Sequence, residues 1–295
     1  MSAPRPQMSD LALTALAPMI WGSSYIVTTT FLPGQDPLLV ALLRALPAGL
    51  LLLVLVRRLP PVAMLWKITL LGALNFAIFW ACLFLAAYRL PGGVAATLGA
   101  AQPLFVIALS ALWLQIPPRM QAIGAALVGA AGVALLVLSP EAQLDMIGVL
   151  AGLGGAASMA AGIVLSRKWQ GDIPPLTLTA WQMTAGGLLL LPVVAWRLES
   201  WPVLDAGNLF GLAYMSLIGG ALTYVLWFRG LGRIAPAQVS LLGVLSPLTA
   251  VVLGAALAGE VLTVWQAIGA ALAMGSLWLG QAKLSPRRRR APSRA

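Results

Sequence analysis

Gln121-Ala122-Ile123-Gly124-Ala125-Ala126-Leu127 opens an apolar run that continues to residue 138. The same seven residues return as Gln266-Ala267-Ile268-Gly269-Ala270-Ala271-Leu272 at the head of another run. Working back from this pair, Phe84, Arg89, Leu98, Gly99, Pro103 and Leu104 are answered by Phe228, Arg233, Leu242, Gly243, Pro247 and Leu248 at a constant offset of 144. Earlier still, Pro37, Leu38, Gly49 and Leu50 to Leu53 are answered by Pro175, Leu176, Gly187 and Leu188 to Leu191 at an offset of 138. The offset changes within a connecting segment, where insertions are tolerated. Leu-, Ala- and Gly-rich sequence inflates chance matches, but an ordered series through four consecutive runs in each half is the trace of an internal duplication.

Of the 295 residues, 60% are hydrophobic and 9% charged, against roughly 25% charged in a soluble domain. A chain this poor in polar surface needs lipid as its solvent. Stretches of about 20 apolar residues, enough to span a bilayer, fall at 11–31, 38–56, 67–87, 92–115, 120–138, 146–166, 176–196, 209–228, 235–258 and 263–281. The predicted fold class is therefore an all-α integral membrane protein with ten transmembrane helices as two inverted five-helix repeats. The repeats are expected over 10–141 and 142–282, followed by a basic cytoplasmic tail at 283–295. The connections leave no room for a soluble catalytic domain, and no phosphate-binding GxxxxGK[ST] loop occurs. The first apolar run exceeds the 7–15 residues typical of a signal-peptide core and is read as helix 1. Cys82, the single cysteine, excludes an intrachain disulfide.

Charge placement sets an expected topology. With a cytoplasmic N-terminus, fifteen basic residues fall inside, only Arg89 and Arg197 fall outside, and Arg44 lies within a span. The positive-inside rule thus places both termini in the cytoplasm of a plasma (inner) membrane crossed several times. The Arg287–Arg290 run reads as an anchor to anionic lipid. Five spans per half is an odd number, so the two copies must run in opposite directions. Such inverted repeats suit transporters that alternate between inward-open and outward-open states.

The second repeat ends Gly259-Glu260-x-Leu262-x-x-x-Gln266-x-Ile268-Gly269, with Pro247-Leu248 twelve residues before the Gly-Glu pair. Trp21-Gly22 sits in span 1, and Arg44 in span 2 is answered by Gln182 in span 7. The pattern resembles the EamA family of the drug/metabolite transporter superfamily over residues 10–282, and within it the bacterial aromatic amino-acid exporters. That resemblance implies a ten-helix transporter born of duplication, and export of aromatic or other large neutral amino acids. The first half departs from the pattern, reading Gln115-Ile116-Pro117-Pro118 in place of Gly-Glu. Glu260 is accordingly expected to cap an end of helix 10.

Intramembrane ionisable residues are functional candidates by default, and Arg44 alone qualifies. Six residues into its span, it lies about 9 Å along the helix, within snorkelling reach of the outer surface; an anchor and a substrate-carboxylate contact are both open. The chain has no histidine, and each Asp and Glu falls at a span end or in a loop. These absences point away from obligatory proton coupling, a membrane-embedded hydrolase or metalloenzyme, and phosphate-bearing substrates. The remaining possibility is a neutral aromatic-and-amide pocket: Trp21, Tyr25, Arg44, Asn75, Phe79, Gln102, Ser158, Gln182, Tyr214, Tyr224 and Ser246 are the candidate substrate-binding residues. Asn75, Phe79 and Cys82 are expected on one face of span 3. Trp66, Trp113, Trp169, Trp196, Trp201, Trp227, Trp265 and Trp278 read as an interfacial belt.

The unit Gly-x-x-x-Pro occupies equivalent places in the two halves, as Gly99…Pro103 and Gly243…Pro247. Proline removes the bond to the i−4 carbonyl, here the glycine's, so these four residues are the candidate hinges. Gly124, Gly129, Gly132, Gly269 and Gly275 suit close packing of spans 5 and 10, read as scaffold outside the cavity. The function expected is alternating-access movement of small neutral or zwitterionic metabolites, not enzymatic, with no cofactor or metal. The alternatives are a permease or drug exporter for other metabolites, or a membrane enzyme or assembly factor. The partners are a small-molecule substrate and the lipid bilayer, with no nucleic acid; the oligomeric state is left open, a monomer being admissible.

Overall fold

The computed structural model of the chain describes residues 8–89, 98–137, 145–198, 202–258 and 263–281. They form ten helical segments and, among the described residues, no strand. In chain order these are α1 (Met8–Phe31), α2 (Pro37–Val56), α3 (65–89), α4 (Gln102–Leu114), α5 (Met120–Val137), α6 (Met146–Trp169), α7 (Pro175–Arg197), α8 (206–233), α9 (236–258) and α10 (Val264–Gln281). Seven of the described helices, α1 to α3 and α6 to α9, are long and apolar enough to cross a membrane; α4, α5 and α10 are apolar but shorter. Residues 92–97 of the expected fourth span and the 283–295 tail lie outside the described residues.

Side-chain placement is that of a protein in lipid. Large apolar side chains stand exposed along the helices, among them Leu50, Val54, Leu112, Leu150, Leu188 and Trp278, while Thr14, Asn75, Gln182, Thr223 and Ser276 are wholly buried. Water would reverse that arrangement. Helix starts are capped by short acceptors. Asp36 accepts from Leu38 N and Leu39 N at 2.8 and 3.1 Å ahead of α2. Asp145 accepts from Gly148 N at 3.0 Å ahead of α6. That N–H, then the Arg89 guanidinium, holds the Asp145 carboxyl below the usual carboxylate range. At α10 the cap is Thr263, in a reciprocal box with Gln266 (3.2 and 2.9 Å). Glu260, expected in that role, lies outside the described residues.

Four helices are irregular, and two causes account for them. In α9 the helix Pro236–Leu242 gives way to a turn at Gly243–Val244 before Leu245–Ala258. Pro247 has no N–H to offer the Gly243 carbonyl, so Ser246 N takes it at 3.0 Å, one residue early. Ahead of α4, Leu98 and Gly99 are helical, and a turn at Ala100–Ala101 separates them from Gln102. There Ala101 N donates to Leu98 O and Leu104 N to Ala101 O, at 3.1 and 3.0 Å. The other two carry π-helical segments, Ala73–Ala77 in α3 and Tyr214–Leu222 in α8. A π turn holds an extra residue, so it rotates the rest of the helix by about 100° from the α-helical register.

The most extensive pairings are α5 with α10 and α2 with α7, followed by α3 with α6, α1 with α8, α3 with α7, α1 with α9 and α4 with α6. Glycine sets the closeness of the α2–α7 crossing: a Cβ on Gly49 would lie 2.5 Å from Thr184 N, and one on Gly187 would lie 2.8 Å from Leu46 Cα. At the α5–α10 contact the close glycine is Gly132, whose Cβ would stand 2.7 Å from Ala273 N and 2.9 Å from Gly269 O; Gly129 faces Ser276. Gly124 and Gly275, expected at the same seam, have nothing within 4 Å of a Cβ.

Candidate functional site: a central cavity sealed at one end

A cavity of about 750 Å³ lies among the helices, walled by α1, α2, α3, α6, α8 and α9 and by Gly99, Ala100, Gln102 and Pro103. Val133 of α5 and Gln266 of α10 also reach its wall, so the two helices read as scaffold contribute one residue each.

The aromatic floor is built from α1, α3 and α8. The Trp21 ring sits 5.0 Å from Tyr224 and 5.1 Å from Trp227. Phe76 lies 4.8 Å from Tyr224 and 5.5 Å from Trp80. Trp227, assigned by sequence to the interfacial belt, is instead 1% exposed and on the cavity wall. Its position near the end of a span does not say which way it faces. The signal available was its place three residues after Tyr224, on the same helical face.

The π segment of α8 creates the polar centre. Thr223 N is directed at Ile218 O and Gly220 O, so the Gly219 carbonyl, its ordinary α-helical partner, is turned to side chains. It accepts from Arg44 Nη2 at 2.6 Å, Thr223 Oγ1 at 2.8 Å and Trp21 Nε1 at 3.2 Å. Trp21 Nε1 also donates to Thr223 Oγ1 at 2.8 Å. Arg44 does not snorkel: its guanidinium carbon lies 5.2 Å from the centroid of the Trp80 ring. Holding an arginine at the centre of a spanning helix costs roughly 2.5–3.5 kcal/mol on insertion scales, which the carbonyl and the ring offset in part.

Six candidates from the sequence stand on the cavity wall: Trp21, Arg44, Phe79, Gln102, Tyr224 and Ser246. All four hinge candidates, Gly99, Pro103, Gly243 and Pro247, are there too. Asn75, Ser158, Gln182 and Tyr214 are not. Asn75 Nδ2 donates to Gln182 Oε1 at 2.9 Å and Ser166 Oγ at 3.2 Å, in a seam between α3, α6 and α7 closed by Gly162. Ser158 Oγ donates to Leu74 O at 2.9 Å in the same seam. Tyr214 pairs its hydroxyl with Ser23 Oγ at 2.6 Å. Asn75 and Phe79 part company because the π turn lies between them. The Tyr25 side chain lies outside the described residues.

Beyond Trp21, Trp227 and Ser240 the helices close on one another. Asp10, buried near the start of α1, pairs with Arg229 at 2.9 Å and Arg233 at 3.0 Å. Thr14 packs on Gly230, and Arg167 Nη1 donates to Leu231 O at 2.6 Å. Toward the other end the wall continues through Leu83, Ala86 and Gly152. There α3 meets α6 through an exposed Arg89–Asp145 pair at 3.3 Å. In the sequence Asp10 passes for an ordinary span-end acid. Among the described residues no Asp or Glu lines the cavity, and no cluster of His, Cys, Asp and Glu could hold a metal.

The profile of the EamA-like transporter family matches the chain twice, at residues 8–138 and 146–280. Protein PecM of Dickeya dadantii (strain 3937) is 47% identical over 240 residues, 81% of this chain and 80% of that protein. A Salmonella typhimurium protein named "Probable amino-acid metabolite efflux pump" is 28% identical over 288 residues, 92% of this chain and 94% of that one. A solved crystal structure superposes with a TM-score of 0.79 over 93% of this chain and 98% of its own, at 20% identity, a likeness of fold.

Proposed function

Because the chain belongs to the EamA-like transporter family, a family of multi-pass membrane transporters and not of enzymes, we propose that it works by alternating access, exporting small neutral or zwitterionic metabolites, aromatic and large neutral amino acids among them. The observation that carries this reading is the cavity itself, sealed at the Asp10 end and walled on through Gly152 and Ala86 toward the other. The name of the Salmonella typhimurium relative agrees with the substrate class.

Ten spans in two inverted repeats suit this reading, and the contacts support them. Exchanging α1–α5 with α6–α10 turns α3–α6 into α8–α1 and α1–α9 into α6–α4, while α2–α7 and α5–α10 return to themselves; all of these pairs are present. The polar contacts obey the same exchange. Arg44 matches Gln182 at the offset of 138, and Gly219 matches Asn75 at 144. Arg44 bonds Gly219, and Gln182 bonds Asn75. Both termini are cytoplasmic in this arrangement, in the inner membrane, and the closed end faces the cytoplasm.

The test is flux in proteoliposomes driven by the substrate's own gradient. With labelled phenylalanine or leucine inside, the protein should accelerate exit over empty liposomes. Collapsing an imposed pH gradient should leave the initial rate nearly unchanged. Absence of flux for each of a panel of amino acids and metabolites would remove the transport reading; strict dependence on the pH gradient would remove the uncoupled mechanism. Labelling of a cysteine at position 233 from outside intact cells, in a Cys82→Ser background, would overturn the orientation.

A further inference from the structure

We propose that Arg44 is the receptor for a carboxylate, and that the cavity takes small amphipathic monocarboxylates whose amino group, where present, is not recognised. This rests on the transport reading above and redraws the substrate class of the same cavity, from neutral or zwitterionic metabolites to monocarboxylates with or without an amino group.

Four observations carry it. First, the Arg44 charge has no counter-charge. The ion pairs among the described residues engage Arg89, Arg197, Arg229 and Arg233, and Arg44 has only the neutral Gly219 carbonyl and the Trp80 ring. Second, its guanidinium keeps donor capacity: Nη2 is used, while Nε is buried without a partner. Third, two further wall residues hold unpartnered polar atoms, Nε1 of Trp227 and Oγ of Ser24. Arginine and tryptophan nitrogens can only donate, so a ligand meeting them has to bring acceptors. A carboxylate brings two oxygens and the single negative charge that one arginine balances. Fourth, no acidic side chain lines the cavity among the described residues, so an ammonium group meets no counter-charge there.

The remainder of the wall decides the body of the ligand. Trp21, Phe79, Leu83 and Val251 present ring faces and hydrocarbon, and a volume of about 750 Å³ falls within the range of small-molecule sites. A phosphate or dicarboxylate would carry a second charge into a wall with no second cation, at a desolvation penalty. The class is thus one carboxylate on an aromatic or branched apolar body. Aromatic amino acids belong to it, and so do the same acids without nitrogen.

The experiment is calorimetric titration of the purified full-length protein in nanodiscs with 3-phenylpropionate, 3-phenylpropionamide and phenylalanine, three ligands sharing one body. Phenylpropionate should bind at least about tenfold tighter than its amide, the worth of one charge-assisted contact. Phenylalanine should fall within about threefold of phenylpropionate, a difference of less than 1 kcal/mol. Arg44→Gln should erase the preference for acid over amide, and Arg44→Lys should restore part of it. The ligand series on the unaltered protein decides the matter even where a variant does not fold. Acid and amide binding alike, no binding of phenylpropionate, or phenylalanine binding far tighter than phenylpropionate would each overturn the proposal. None of these outcomes touches the transport reading, which falls only if no solute moves in liposomes.

Discussion

Asp10→Asn isolates the seal at the closed end. The Asp10 side chain is 10% exposed and pairs with Arg229, 28% exposed, at 2.9 Å and with Arg233, 54% exposed, at 3.0 Å. Exposed ion pairs contribute about 0.2–1 kcal/mol, and breaking a fully buried pair costs about 3–5 kcal/mol. This carboxylate lies between those limits and holds two cations, so losing its charge should destabilise the closed end by about 1–2 kcal/mol, a shift of about 5- to 30-fold in population. The amide keeps the shape, and the Thr14 bond to the Asp10 backbone carbonyl at 2.6 Å does not depend on the charge. The assay places a cysteine at Ser240, on the cavity wall near the seal, in a Cys82→Ser background. An impermeant reagent is then applied from the side that Asp10 faces. The labelling rate should rise by about the same 5- to 30-fold factor, and Asp10→Glu should return it toward the starting value. An unchanged rate in Asp10→Asn would mean that Thr14, Gly230 and Arg167 hold the end shut unaided, and the ion cluster is no latch.

Two further predictions test the frame and the hinges. Gly49→Ala places its Cβ 2.5 Å from Thr184 N, where ordinary contact begins near 3.4 Å; the overpacked crossing should lose about 1–3 kcal/mol. Gly124→Ala, with open space around it, should lose nothing, and equal melting temperatures for the two variants in detergent would refute the close crossing. Pro103→Ala and Pro247→Ala give the helix back an N–H, so folding should survive. Each should slow flux, and the two should move cavity-cysteine accessibility in opposite directions; wild-type flux and accessibility in both would make these prolines packing features only.

The limits of the helices were legible because hydropathy and caps are local: the run expected at 38–56 appears as Pro37–Val56, and that at 176–196 as Pro175–Arg197. The interruption at Gly243–Val244 was legible for the same reason, since a proline's missing donor acts on the carbonyl four residues back. The failures were angular. Asn75, Phe79 and Cys82 share a face only if the helix keeps 3.6 residues per turn, and no single residue of Ala73–Ala77 announces a π turn. A second π segment, Tyr214–Leu222 in α8, freed the Gly219 carbonyl, which became the meeting point of Trp21, Arg44 and Thr223 without any side chain of its own to mark it. Trp227 was misjudged because a position near a span's end does not tell whether it faces lipid or protein; Asp10 does stand in the first turn of α1, and it was its pairing with Arg229 and Arg233 that the sequence did not show.

The α2–α7 crossing constrains how the molecule can move. With no room for even one carbon at Gly49 or Gly187, the two helices are notched into each other like a halved joint in carpentry. Sliding by one residue, about 1.5 Å, would ram the side chains of Thr184 and Leu46 into backbone. Swivelling about the notch leaves both contacts nearly in place. A rearrangement that opens one end while shutting the other therefore turns about this joint, with large excursions at the rims and almost none at the pin. A short covalent tie between positions 10 and 229, far out from the pin, would stop such a swivel.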